Sequence, residues 1–290
     1  MTELTPFYMY AGGKKKMIKH YRPVFGDLSK YSHYAEPFFG GGAIYAHVNN
    51  TVPGISSTVN DINKEIMDVL RAVSSSPDQF ISDVNVIVDE YFNIPYQGDK
   101  SSRKLWYYEK RKEYWETGDL ALLYVLMRTG FNGIWQTCKE SQGKFGTPAG
   151  LLNQTRREQI INEGLIRQWS SALQKTSIQS TSYEQVLIPH GEDTLVFCDP
   201  PYRGSFTTYS TDFDDDEQER MCQWIKDMID QGSKVAMSNR VVEGDSFFEN
   251  LLGDCCDFHY FPVTYTAGRR KKTDTGYEAK PAVEFLALSR

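Results

Sequence analysis

Hydrophobic and polar positions change period several times along the chain. Short apolar runs bounded by turn residues stand at 194–198, 234–238, 258–265 and 283–288, and residues 1–62 carry a glycine loop between two further strands. Such runs read as strands, and the continuous ones as strands covered on both faces. Between them lie stretches with helical spacing. Residues 64–128 are almost entirely of this kind, in segments at 64–73, 77–90, 103–115 and 120–127. A helix returns at 156–174, followed by a short strand near 178–181, and another helix is expected at 214–231. Alternating strands and helices predict an α/β fold built on a Rossmann-like, mostly parallel sheet. The helical block interrupts that alternation and reads as an insert. The expected division is a catalytic domain of 1–62 with 156–290, and an insert of 63–155. Residues 129–150 are rich in Gly, Asn and Thr with interleaved aromatics, which predicts a β-hairpin or loop carried by the insert.

Residues 199–202 read Asp-Pro-Pro-Tyr, directly after the apolar run 194–198. The Asp then stands at the carboxyl end of a strand, where open α/β sheets place ligands. Two prolines remove two donors and stiffen the chain. A stiff Asp199 carboxylate and Pro200 carbonyl can accept the two hydrogens of one NH2 group, followed by Pro201 and a flat face at Tyr202. A strand ending in a proline turn with a surface tyrosine is the plainer reading.

A second segment is Glu36-Pro37-Phe38-Phe39-Gly40-Gly41-Gly42, entering an apolar stretch. Glycines let a backbone turn sharply and approach a ligand closely. The run lacks the spaced G-x-G-x-x-G of dinucleotide sites, which favours an adenosyl ligand without pyrophosphate. Asp61, in Asp61-Ile62-Asn63, lies about 20 residues on, where such folds hold a ribose diol. A third segment is Tyr10-Ala11-Gly12-Gly13-Lys14. By itself it reads as a basic N-terminal stretch.

Taken in order, these segments resemble the Dam-type DNA adenine-N6 methyltransferases, over nearly the whole chain. The resemblance implies S-adenosylmethionine as methyl donor and duplex DNA as substrate. It implies that the target adenine is flipped out to meet Asp199, Pro200, Pro201 and Tyr202. It also implies a cofactor set of Tyr10, Lys14, Glu36, Pro37, Phe38, Phe39, Gly40, Gly42, Asp61, Ile62, Ser182, Tyr183 and Asp199. For Tyr183 a place in the core is an equal alternative. Ser238-Asn239, after an apolar strand, is a weaker echo.

In the base-reading region the chain departs from the family. Phe131-Asn132-Gly133-Ile134-Trp135 and Gly143-Lys144-Phe145-Gly146-Thr147-Pro148 echo its start and finish, but the usual Arg and aromatic-Asn pair between them is absent. The resemblance implies GATC as the target, or, with this departure, a variant of it. Asn132, Trp135, Gln136, Lys139, Gln142 and Lys144 are candidate DNA contacts, since such side chains pair with base edges.

Charge modifies this picture. The net charge of −6 is unusual for a DNA binder, whose affinity depends on cations at phosphates. The cations are clustered, however, at Lys14 to Lys19, at Lys100, Arg103 and Lys104, and at Arg269, Arg270, Lys271 and Lys272. A positive cleft can exist on a negative protein, although each cluster also suits a solvated face. The acidic run 212–217 reads as a helix N-terminus, favoured there by the helix dipole, and is expected to face away from DNA.

No apolar run nears the ~20 residues of a membrane span, and no secretion signal is visible. The five cysteines show no metal-ligand spacing. A cytoplasmic setting, no metal and no obligatory protein partner are the resulting expectations. The same tetrapeptide would also serve cytosine-N4 or RNA adenine methylation. A DNA-binding protein with this fold and no turnover is a further alternative.

Overall fold

The computed structural model describes residues 3–10, 12–94, 101–204, 213–265, 271–273, 276–278 and 280–290. Its main sheet has seven strands. They are β1 (His33–Glu36), β2 (Ser56–Asn60), β3 (Thr176–Gln179), β4 (Thr194–Cys198), β5 (Lys234–Arg240), β6 (Cys256–Tyr265) and β9 (Lys280–Ser289), in the order β3-β2-β1-β4-β5-β9-β6. β1 to β5 run parallel, and β9 and β6 are antiparallel additions at one edge. Two short strands, β7 (Lys271–Thr273) and β8 (Gly276–Glu278), form a separate ribbon. The α/β class expected from the sequence is thus observed, with a sheet that is mostly parallel.

β4 is buried along its whole length, which explains its uninterrupted apolar sequence. Its residues alternate between two cores, as the strand period of two requires. Leu195 and Phe197 join one core, and Val196 and Cys198 the other. The second core is completed by α8 (Asp215–Asp230) and α9 (Phe247–Leu252). The first is larger. It takes in α1 (Ile18–Phe25) and α2 (Ala43–Thr51), then continues without a break into the helical block.

That block comprises α3 (Lys64–Ser75), α4 (Pro77–Asn93), α5 (Ser101–Thr117) and α6 (Leu120–Thr129), with α7 (Glu163–Ala172) packed on α3 and α4. The starts of these helices are legible in the sequence. The Asn63 side chain caps α3, Pro77 opens α4, and the Asp119 side chain caps α6 by accepting from Leu122 N. Asp214 caps α8 in the same way, and Asp215, Asp216 and Glu217 fill its first turn, as the acidic run suggested.

Residues 130–150 form a loop rather than a hairpin. They contain two 3₁₀ turns, Phe131–Gly133 and Lys139–Ser141, and a single bridge between Gly130 and Ala149 closes the loop. α5 holds its backbone. Tyr107 Oη donates to Thr147 O, Arg111 Nη1 to Gly146 O at 2.6 Å, and Trp115 Nε1 to Phe145 O at 2.8 Å. Backbone bonds from Phe131 N to Pro148 O, Gly146 N to Gln136 O and Gly150 N to Thr129 O draw its two arms together.

Candidate active site at the reversal of strand order

β1 and β4 are neighbours, with Ala35 beside Val196. The strand order reverses between them. Open α/β sheets form a ligand crevice at the carboxyl ends of such a pair. The glycine run leaves β1 there and Asp199-Pro200-Pro201-Tyr202 leaves β4, so two segments 160 residues apart in sequence meet by topology.

The Asp199 carboxylate is held on both oxygens. Ser238 Oγ donates to Oδ1 at 2.7 Å, and Lys14 Nζ pairs with Oδ2 at 2.7 Å. Lys14 Nζ also donates to Gly12 O and sits 4.7 Å from the Tyr202 ring centroid. Tyr202 Oη donates to Glu284 Oε2 at 2.9 Å. Gln218 Nε2 donates to Pro201 O at 2.9 Å.

The glycine loop is tight for visible reasons. Gly42 has φ +64° and precedes α2, and a Cβ there would fall inside Phe39 Cζ and 2.9 Å from Trp169 Cη2. Tyr10 covers the loop, because a Cβ on Gly40 or Gly41 would touch its side chain at 3.3 or 3.1 Å. Tyr8 Oη donates to Gly40 O at 2.7 Å. Burial pushes the Tyr8 phenol well up, with the nearby Asp61 and Glu36 charges adding to this.

Glu36 is buried at the end of β1, where Tyr34 Oη and Tyr45 N both donate to its Oε2. Burial raises its carboxyl well above the ordinary range, and the Asp199 charge adds to this. The Asp61 carboxylate accepts from Gly40 N at 2.8 Å and from Asn63 N at 2.9 Å, which ties the end of β2 to the glycine loop. Burial raises Asp61 too, against those two hydrogen bonds. Asn60 Nδ2 donates to Pro37 O and Thr181 O. Phe38 stacks on Tyr183 at 5.3 Å, while Ile62 is exposed beside Asp61.

The segments that leave β1, β2 and β4 therefore meet at one end of the sheet, where Asp61 holds the glycine loop and Lys14 holds Asp199. The chain matches the family described as D12 class N6 adenine-specific DNA methyltransferase over residues 10–267. It belongs to that family.

Curated relatives agree. The chain is 27% identical to the type II methyltransferase M.MjaIII of Methanocaldococcus jannaschii, across 82% of this chain and 84% of that protein. It is 26% identical to the type II methyltransferase M1.LlaDCHI of Lactococcus lactis subsp. cremoris, covering 93% and 92%. To the DNA adenine methylase of Escherichia coli K12 it is 22% identical, covering 97% and 94%. This D12-class chain is an adenine-specific DNA methyltransferase, and a methyl donor and DNA are implied with it.

The expected DNA contacts divide. Asn132, Lys139 and Gln142 are exposed on the 130–150 loop, Gln136 is half-buried there, and Lys104 is exposed on α5. Three others are drawn into the protein. Arg103 is buried in the helical block, where Nη1 donates to Tyr91 Oη, Leu152 O and Gln154 O. Trp135 is buried edge-on against Phe145 at 5.0 Å. Lys144 Nζ donates to Trp115 O. Each of the three is engaged within the protein: Arg103 by carbonyls beyond the loop, Trp135 by Phe145 within it, and Lys144 by α5. Lys271 and Lys272 belong to β7, and Lys100, Arg269 and Arg270 lie outside the described residues.

Tyr183 takes the core alternative left open for it. It is buried and donates to Glu217 Oε1 at 3.0 Å, while its ring still backs Phe38. Ser182, beside it, is half-buried. The sequence reading gave no role to Glu284 or Gln218 and only an echo to Ser238. An acid in the apolar run 283–288 was the available signal for Glu284. Among the described residues there is no cluster of three or more metal-ligand side chains, and no helix is long and apolar enough to cross a membrane.

Proposed function

We propose that the chain methylates N6 of an adenine flipped out of a short duplex sequence, GATC or a variant, with S-adenosylmethionine as donor. The observation that carries this is the fixed Asp199 carboxylate at the end of β4, beside the glycine loop at the end of β1.

Adenine hides its amino group inside a duplex, so the base must leave the stack, at a cost of a few kcal/mol. The amino nitrogen is a poor nucleophile because its lone pair is delocalised into the ring. Asp199 and the Pro200 carbonyl accept its two hydrogens and localise that pair. A carboxylate offers about four acceptor positions. Ser238 and Lys14 take two, which leaves room for the amino group. Tyr202 gives the ring a face to stack on. Preorganised acceptors of this kind need little rearrangement during the reaction.

The crevice suits the donor. Asp61, fixed by Gly40 N and Asn63 N, offers an acceptor for a ribose diol. Ile62 and Phe38 offer apolar surface for an adenine. Tyr10, Lys14, Glu36, Pro37, Phe39, Gly40 and Gly42 line or shape the loop at the methionine end. When bound, S-adenosylmethionine supplies an electrophilic methyl group on a sulfonium centre. Asn132, Gln136, Lys139 and Gln142 on the exposed loop are proposed as base readers, with Lys104 at a phosphate.

The test is transfer of labelled methyl groups from S-adenosylmethionine to unmethylated genomic DNA, with the modified bases mapped. One short motif fully converted to N6-methyladenine supports the reading and names the target. N4-methylcytosine, or label in RNA alone, would overturn it. Asp199→Ala should abolish transfer and keep donor binding.

A further inference from the structure

Besides Lys14, polar side chains from three further elements hold the Asp199–Tyr202 tetrapeptide in place. Ser238 on β5 donates to Asp199 Oδ1. Gln218 on α8 donates to Pro201 O. Glu284 on β9 accepts from the Tyr202 hydroxyl. Asn239 Oδ1 accepts from the next backbone nitrogen, Arg203 N, at 3.2 Å. Ser238, Asn239 and Gln218 are fully buried, and Glu284 is 5% exposed.

Burying polar groups is costly unless they are paired. Burying a carboxylate in the apolar run of β9, opposite Arg240 of β5 and Phe261 of β6, is costlier still. Its position gives it a use. Tyr202 turns about two side-chain bonds, so its ring tilt is set by what holds the two ends. The backbone end is fixed by Pro201 before it and by Asn239 after it. The hydroxyl end is fixed by Glu284, whose Oε2 accepts from it at 2.9 Å. Lys14 Nζ lies over the ring face. On the other side of the site, Ser238 stops the Asp199 carboxylate from rotating about its terminal bond.

We propose that Glu284 and Ser238 are positioning residues for methyl transfer, Glu284 acting through the Tyr202 hydroxyl and Ser238 through the Asp199 carboxylate. This rests on the reading of Asp199 and Tyr202 as the groups that meet the base. Neither residue touches substrate. Each sets the angle of one that does.

The experiment is steady-state methyl transfer from S-adenosylmethionine to an unmethylated duplex, comparing wild type, Glu284→Ala, Tyr202→Phe and the double variant. Glu284→Ala should lower kcat roughly tenfold, the size of one buried hydrogen bond, with donor KM unchanged. In the Tyr202→Phe background the same change should cost nothing further, because the hydroxyl it acts through is gone. Glu284→Gln keeps a carbonyl acceptor and should retain most of kcat. Ser238→Ala should also lower kcat at constant donor KM, and Ser238→Thr should restore it. Additive losses in the double variant would mean that Glu284 supports the sheet only, and would overturn its part of the proposal. Should Glu284→Ala fail to fold, Tyr202→Phe decides: kcat at the wild-type level overturns the same part. A wild-type enzyme that binds donor yet methylates no DNA fails the reading of the site and takes this inference with it.

Discussion

Lys14 Nζ and Asp199 Oδ2 are 2.7 Å apart, and the two side chains are 8% and 20% exposed. One belongs to a 3₁₀ turn near the N-terminus, the other to the end of the central strand β4. The pair therefore fastens the N-terminal segment over the crevice. Removing one member of a largely buried pair leaves the other charge poorly compensated. Lys14→Ala should cost about 2–3 kcal/mol of stability, below the value for fully buried pairs because Asp199 keeps some solvent. Urea unfolding of the two proteins checks this. An unchanged midpoint would show that the contact contributes nothing net.

Glu36 makes stability depend on pH. Burial raises its carboxyl well above the ordinary 4.5. The folded chain thus holds this proton more tightly than the unfolded chain. The contribution is fully present below pH 4.5 and is lost as pH rises through the raised folded value. Glu36→Gln cannot ionise, and its amide oxygen can accept from both Tyr34 Oη and Tyr45 N, the two donors now on Oε2. The variant should therefore gain stability relative to wild type as pH rises above 4.5. Thermal midpoints of both proteins between pH 5 and 8, at about unit steps, provide the measurement. A constant difference would show that Glu36 titrates alike in both states.

Gly42 carries the sharpest steric demand in the loop. Its φ of +64° disfavours any side chain, and an added Cβ would run into Phe39 and Trp169. Phe39 and Trp169 are 2% and 0% exposed, so neither can move aside cheaply. Gly42→Ala should cost about 2–4 kcal/mol and weaken donor binding as Phe39 is displaced. Gly12→Ala is the control. It shares a positive φ of +85° but meets nothing within 4 Å, so its loss should stay near 1 kcal/mol. Equal losses at the two positions would refute the packing argument.

The parts of the site that were legible are those where backbone chemistry and sequence coincide. The run 194–198 is continuously apolar because β4 is covered on both faces, and the strand's end fixes Asp199. Gly42 is needed because Phe39 and Trp169 leave no room for a Cβ, while Gly40 and Gly41 lie close under Tyr10. Helices α3, α4 and α6 announced themselves through Asn63, Pro77 and Asp119 at their starts. Tertiary partners were not legible. Ser238, Gln218 and Glu284 reach the tetrapeptide from 17 to 82 residues away, a distance over which no periodicity or spacing speaks. The loop at 130–150 misled for a related reason. Its aromatic and basic residues have a composition suited to nucleic acid, yet Trp135 packs on Phe145 within the loop and Lys144 donates to Trp115 O of α5. Composition reports which groups are present and not which way they face.

Arg103 and Lys104 are adjacent on α5 and should behave oppositely. Arg103 lies 4.3 Å from the Tyr91 ring centroid and bonds the Leu152 and Gln154 carbonyls, so it ties α5 to the chain leaving the loop. Lys104 is exposed. Arg103→Ala strands two carbonyls and should cost about 2–4 kcal/mol of stability. It should leave the salt dependence of DNA binding alone. Lys104→Ala should leave the thermal midpoint unchanged. If Lys104 meets a phosphate, its loss should flatten the slope of log affinity against log salt by about one. Duplex binding titrated at several salt concentrations, beside a thermal melt of each variant, separates the two effects. A flattened slope for Arg103→Ala in a protein that melts like wild type would mean that the guanidinium leaves its buried site to reach DNA.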